Sequence, residues 1–268
     1  MEDNMRATIA NDKYLSKQQP GHRVFYNIYR LHDYHSLIYA AMMCGQAAEA
    51  LAAVSRMEAT VTEELLNTKS PPMANWTESF LSVLIHVLIH FGMWEQLKKL
   101  PLPTDTVLYS VLTANTHYGK AIAWAATGNI EEAEKKRALI QQAAACLPES
   151  RLDFPNKVVD ILKVAAAVLD GELQYWRGNY EDAFKSLRVV IELDDGLVYS
   201  EPWGWMLSTR HPYGAIESYV RSTRIIGIPG QSEVPYLSIA TGFDRRPSND
   251  ILSIFFGPFD DIFAFSTQ

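Results

Sequence analysis

Four histidines stand in two pairs, His32 with His35 and His86 with His90, three and four residues apart. In a helix either spacing puts both imidazoles on one face, the arrangement by which a helix offers two ligands to a divalent transition metal. Glu172 adds a carboxylate of ligand type, and His117 beside Tyr118 adds a group that exchanges protons near neutral pH. With His32, His35 and Glu172 as ligands and His117 as proton carrier, the chemistry would be metal-assisted attack on a small molecule. The same imidazoles serve equally as hydrogen-bonding contacts to a peptide or to a backbone carbonyl, and Glu172 equally as a solvated helix residue. No nucleophile elbow, phosphate loop, dinucleotide fingerprint or cysteine-rich metal pattern is present.

The elements that must position these residues are helical. Gly45-Gln46-Ala47-Ala48-Glu49-Ala50, Gly128-Asn129-Ile130-Glu131-Glu132-Ala133 and Gly178-Asn179-Tyr180-Glu181-Asp182-Ala183 are versions of one phrase. A glycine able to take a left-handed cap ends one helix, a polar residue opens the next, and an alanine five positions on lets the two pack closely. Around these turns apolar residues recur every three or four positions, which predicts helix pairs at 32–43 and 47–66, 106–127 and 130–146, and 156–177 and 180–193. A further pair at 78–91 and 94–100 turns at Gly92 and is cut short by Pro101 and Pro103. When the hairpins are aligned on their turn glycines, His32, His35, His86, His90 and Glu172 fall within about 80° on the first helix.

Residues 1–22 read as a flexible lead, 23–219 as the helical domain with a partial fifth pair near 211–219, and 220–268 as an irregular apolar tail. The tail's loss of helical period and its run Ile251–Phe259 suggest an altered reading of the gene or a divergent cap. Ahead of the tail, after the fourth hairpin, Trp203 and Trp205 with Arg210 and His211 suit stacking on a planar ligand, or plain aromatic packing.

The net charge of −7 opposes general affinity for nucleic acid or anionic membrane, because no basic block is available to release counterions from phosphates. Cys44 and Cys146 are expected to be free, buried thiols, and with no apolar leader a cytoplasmic setting is expected.

These phrases, with His32-Asp33-Tyr34-His35, Ala40-Ala41-Met42-Met43-Cys44-Gly45, Phe91-Gly92-Met93-Trp94-Glu95, Thr116-His117-Tyr118, Gly171-Glu172-Leu173 and Tyr199-Ser200-Glu201-Pro202, resemble the tetratricopeptide-repeat superfamily. The likeness is to its longer members in bacteria and filamentous fungi, and covers about residues 29–214. It departs from the standard unit of about 34 residues in its irregular spacing and in most of the aromatic and proline positions. The resemblance implies an all-α, right-handed superhelix of antiparallel hairpins with a concave groove lined by first helices, followed here by the irregular tail. It further implies a protein-interaction scaffold rather than an enzyme, taking a protein or peptide segment in the groove without a cofactor. His32, His35, Tyr39, His86, His90, His117, Tyr118, Glu172 and Tyr175 are the groove candidates. The alternative it admits is a metal-dependent enzyme of a fungal small-molecule pathway, holding one divalent transition metal on His32, His35 and Glu172.

Overall fold

The protein, seen in a computed structural model, is described over residues 1–17, 23–202, 204–210 and 213–214. The expected tail at 220–268 and most of the expected fifth pair lie outside the described residues, as do Trp203 and His211. The described chain is all-α apart from two short strands. Its helices are α1 (Glu2–Leu15), α2 (Arg23–Met43), α3 (Ala47–Glu58), α4 (Glu63–Leu66), α5 (Met73–Thr77), α6 (Val83–His90), α7 (Trp94–Lys99), α8 (Ser110–Ala126), α9 (Ile130–Cys146), α10 (Val158–Trp176) and α11 (Tyr180–Asp195). A 3-10 turn, Glu78–Ser82, leads into α6, and β1 (Leu152–Asp153) pairs antiparallel with β2 (Asn156–Lys157).

The sequence phrases mark the hairpin turns. Gly45, Gly92, Gly128 and Gly178 all have positive φ. At each, the residue after the glycine donates its N–H back to a carbonyl five residues earlier: Gln46 to Ala41, Met93 to Leu88, Asn129 to Trp124 and Asn179 to Gln174, at 2.8–2.9 Å. The glycine's own N–H bonds the carbonyl three residues back. This paired closure satisfies carbonyls that a helix end otherwise leaves open, and it needs a residue that tolerates the left-handed region. Ala50, Ala133 and Ala183 are buried. Gly171 of α10 faces Ser186, Ala183 and Leu187 of α11, so the two helices run antiparallel at close range.

Helices α2/α3, α6/α7, α8/α9 and α10/α11 are each in contact as pairs, and successive pairs touch through α3 and α6, α7 and α8, and α8 and α10. A single large core cluster extends from Leu31, Tyr34 and Ile38 through Ile85, Ile89 and Ile122 to Leu169 and Leu173. It also takes in Trp205, Met206 and Leu207, so the segment after α11 returns to the core. Each fully buried aliphatic side chain of this set contributes about 1.5–3 kcal/mol relative to exposure.

Two expectations are corrected. The first seventeen residues are not a flexible lead: α1 packs on α2, with Thr8 and Leu15 buried, Asp12 paired to Arg30 at 2.7 Å and Asn11 donating to Asp33. A polar sequence concealed it because this helix docks through hydrogen bonds and ion pairs as much as through an apolar stripe. Cys44 and Cys146 are free but exposed. Cys44 directly follows α2 and Cys146 is the last residue of α9, so neither lies within the packed length of a helix pair. No described helix is long and apolar enough to cross a membrane.

Candidate functional site

A polar cleft opens where α2, the 3-10 turn, α6, α8, the strand hairpin and α10 converge. The 3-10 turn stacks residues three apart, so Ser79 and Ser82 share a side, and one turn further His86 falls on the same face of α6. His35 enters from α2, Val111 and Asn115 from α8, Asp153 from β1, and Val158 and Ile161 from α10. Val83, Gly204 and Met206 complete the lining. The space between these atoms, its mouth included, is about 380 Å³, of which about 20 Å³ admits the centre of a water molecule.

Electrostatically the cleft is built of neutral imidazoles and a reluctant acid. Burial, with the charges of His86 and His32, holds His35 down at about 3, and burial alone holds His86 at about 4. Both are therefore uncharged at neutral pH. Burial pushes the Asp153 carboxyl up to about 7, although the residue as a whole keeps some exposed surface. Aromatic edges fix the imidazoles: His35 meets Phe80 at 5.5 Å and His86 meets Trp205 at 4.9 Å between ring centres. Ser79 Oγ, Ser82 Oγ and His86 Nδ1 are buried and have no hydrogen-bond partner among the described residues.

Beneath this cleft lies a buried ion pair. Glu78 is wholly buried, and its Oε1 accepts from the N–H groups of Val111 at 2.7 Å and Leu112 at 3.2 Å, two free donors at the start of α8. Its Oε2 stands 3.2 Å from Arg151 Nε, and Arg151 Nη2 donates to the Leu108 carbonyl at 3.1 Å. Burial pushes Glu78 up to about 7 despite the opposing pull of Arg151 and the backbone donors. Asn156 makes two bonds to Val198, donating to its carbonyl at 2.8 Å and accepting from its N–H at 2.7 Å. Arg151 and Asn156 thus tie the loop before α8 and the loop after α11 to the strand hairpin.

The expected groove residues are divided between environments. His35, His86, His117, Tyr118, Glu172 and Tyr175 are buried, whereas His32 is 56% exposed along its side chain and lies 3.3 Å from Asp33 Oδ1. Tyr118 packs edge-on against Trp205 at 5.6 Å, and Glu172 accepts from Trp176 Nε1 at 2.9 Å. Burial, followed by the charge of Glu172, pushes the Tyr118 hydroxyl well above its ordinary value. Half-buried His90 contacts the Met42 carbonyl at 3.0 Å through Nε2, the backbone contact that the sequence left open as one alternative. Desolvation, with the charges of Lys136 and Lys120, lowers His117. Tyr175 belongs to a small separate cluster with Ala183 and Leu187, and Tyr39 is half-buried against the main core.

The expectation of one groove-lining face is corrected, because the residues of the shared arc do not have one common environment. His32 is exposed and His90 half-buried, whereas His86 and Tyr118 pack against Trp205, and Met206 lines the cleft beside His35 and His86. Among the described residues no group of three or more His, Cys, Asp or Glu side chains is arranged to hold a metal ion, so His32, His35 and Glu172 do not form a ligand set. Helical periodicity specifies which side chains share a face, but not what lies opposite that face. Trp205 packs on protein rings, and Arg210 pairs with Asp195 at 2.6 Å.

Sequence reasoning missed Ser79, Ser82, Asn115 and Asp153 in the cleft, and Glu78, Arg151 and Asn156 around it. The serine spacing before His86 was a usable signal, whereas no local pattern joins Glu78 to Arg151. Comparisons with family models, with curated proteins and with solved structures gave no match.

Proposed function

We propose that this protein is a tetratricopeptide-like interaction scaffold, its hairpins stacked as a right-handed solenoid, and that it binds a protein partner. The four like-closed hairpin turns and the contact of each hairpin with the next support the architecture. The surface assigned to the partner is the braced loop end rather than the inner face, where His35, His86, Tyr118 and Glu172 are buried. Val107 is 79% exposed, Phe154 74%, Tyr199 69% and Val198 61%, on three segments that Arg151 and Asn156 hold together.

That grouping is the observation carrying the reading. Single exposed apolar residues are ordinary, but several large ones on loops fixed by buried polar side chains form a presented surface. A rigid frame lowers the ordering cost of association. The test is affinity capture with the full chain beside a Phe154→Glu/Val198→Glu variant whose circular dichroism is unchanged. The expected result is a stoichiometric partner retained by the wild type and lost by the variant. Equal retention by both would place the interface elsewhere.

A further inference from the structure

We propose that the cleft formed by Ser79, Ser82, His86, His35, Asn115 and Asp153 is a binding site for a small, uncharged ligand bearing adjacent hydrogen-bond donors and acceptors, as in a carboxamide, a urea or a vicinal diol. This goes beyond scaffolding and rests on different residues.

Three buried polar atoms of one wall, Ser79 Oγ, Ser82 Oγ and His86 Nδ1, have no partner in the described chain, and all three residues line the same space. Each residue is more than nine-tenths buried. A buried donor or acceptor without a partner costs more than an ordinary hydrogen bond returns, so three along one ladder favour an occupant that bonds them together. They form one ladder because a 3-10 turn runs directly into a helix, which places residues 79, 82 and 86 on one side.

The wall chemistry selects the class. Serine hydroxyls and neutral imidazoles each both donate and accept, which matches a ligand whose groups do the same. Asn115 donates to the Val111 carbonyl at 3.1 Å through Nδ2, and its amide oxygen is a further acceptor. No lysine or arginine lines the space and Asp153 does, which disfavours an anion. The nearby guanidinium of Arg151 pairs with Glu78 and the Leu108 carbonyl, its Nη1 has no partner among the described residues, and it does not line the space. A metal cation is disfavoured by the lack of a ligand group among the described residues. The free volume holds little more than one water molecule, so a ligand the size of urea or acetamide enters with displacement of the lining at Gly204 and Met206.

The experiment is a titration of full-length protein labelled with nitrogen-15 in its histidines, reading the imidazole signals of His35 and His86. The probes are acetamide, urea and glycerol, with acetate and guanidinium as charged controls. We expect at least one uncharged probe to move the His86 signals saturably, with neither control doing so. In Ser79→Ala/Ser82→Ala the affinity should fall by at least about tenfold, the loss expected for two hydrogen bonds. Ser82→Val, which fills the space, is the second variant and should abolish the response. Failure of every uncharged probe to saturate, an equal response to the controls, or affinity unchanged in a folded variant would overturn the proposal and leave the ladder a site for ordered water only.

Discussion

Glu78 Oε2 lies 3.2 Å from Arg151 Nε while Glu78 Oε1 accepts the Val111 N–H, so one buried carboxylate joins the start of α8 to Arg151, the residue before the strand hairpin and seventy-three positions after Glu78. Breaking such a pair from one side is costly because the remaining charge is stranded. Arg151→Met is expected to lose about 3–5 kcal/mol at pH 8. Glu78 has a raised folded pKa, so its contribution is present below its unfolded value and is lost as pH rises through about 7. The variant's deficit should therefore shrink at pH 5, where Glu78 carries a proton. Urea denaturation at the two pH values measures it, and an equal deficit at both would show that the carboxylate charge is not the cause.

The buried imidazoles predict an acid weakness. His35 and His86 are depressed to about 3 and about 4, so the unfolded chain binds more protons than the folded one below about pH 6.5. Their stabilising share is intact above that pH and is lost as pH falls toward 4, at about 1.4 kcal/mol per unit for each group. Asp153 and Glu78, both raised, act in the opposite sense over much of that range. The informative quantity is thus the difference between wild type and His86→Gln. Wild-type stability relative to the variant should fall steadily from pH 6.5 to 4.5, as followed by chemical denaturation.

At the third hairpin, Ala133 is completely buried between α8 and α9. Ala133→Leu should overpack that contact and cost about 1–3 kcal/mol, while the far-ultraviolet spectrum stays helical. A neutral or stabilising result would mean that the two helices can separate without loss.

The N-terminal helix is a structural part of the domain. Deleting residues 1–17 removes the Asp12–Arg30 pair and the buried Leu15, and uncovers the face of α2 that carries Tyr34. The truncated chain should be less stable by at least about 2 kcal/mol, from the leucine alone. A melting temperature equal to that of the full chain would show that α1 is dispensable.

The sequence by itself determined the local elements. The glycine-to-alanine phrases placed the turns because a left-handed closure and a close helix crossing each demand a particular small residue, and the apolar period placed α8, α9 and α11 within a few residues. It also grouped His35 and His86 on comparable faces, since that follows from helical geometry. Only the tertiary structure decided that these two imidazoles are buried, because Trp205 and Met206 beside them come from beyond the last helix and share no local pattern with them. The same holds for Asp153 in the cleft and for Arg151 beside Glu78. Pairings across such sequence distances are selected by burial and charge once the hairpins have packed, and no periodicity along the chain encodes them.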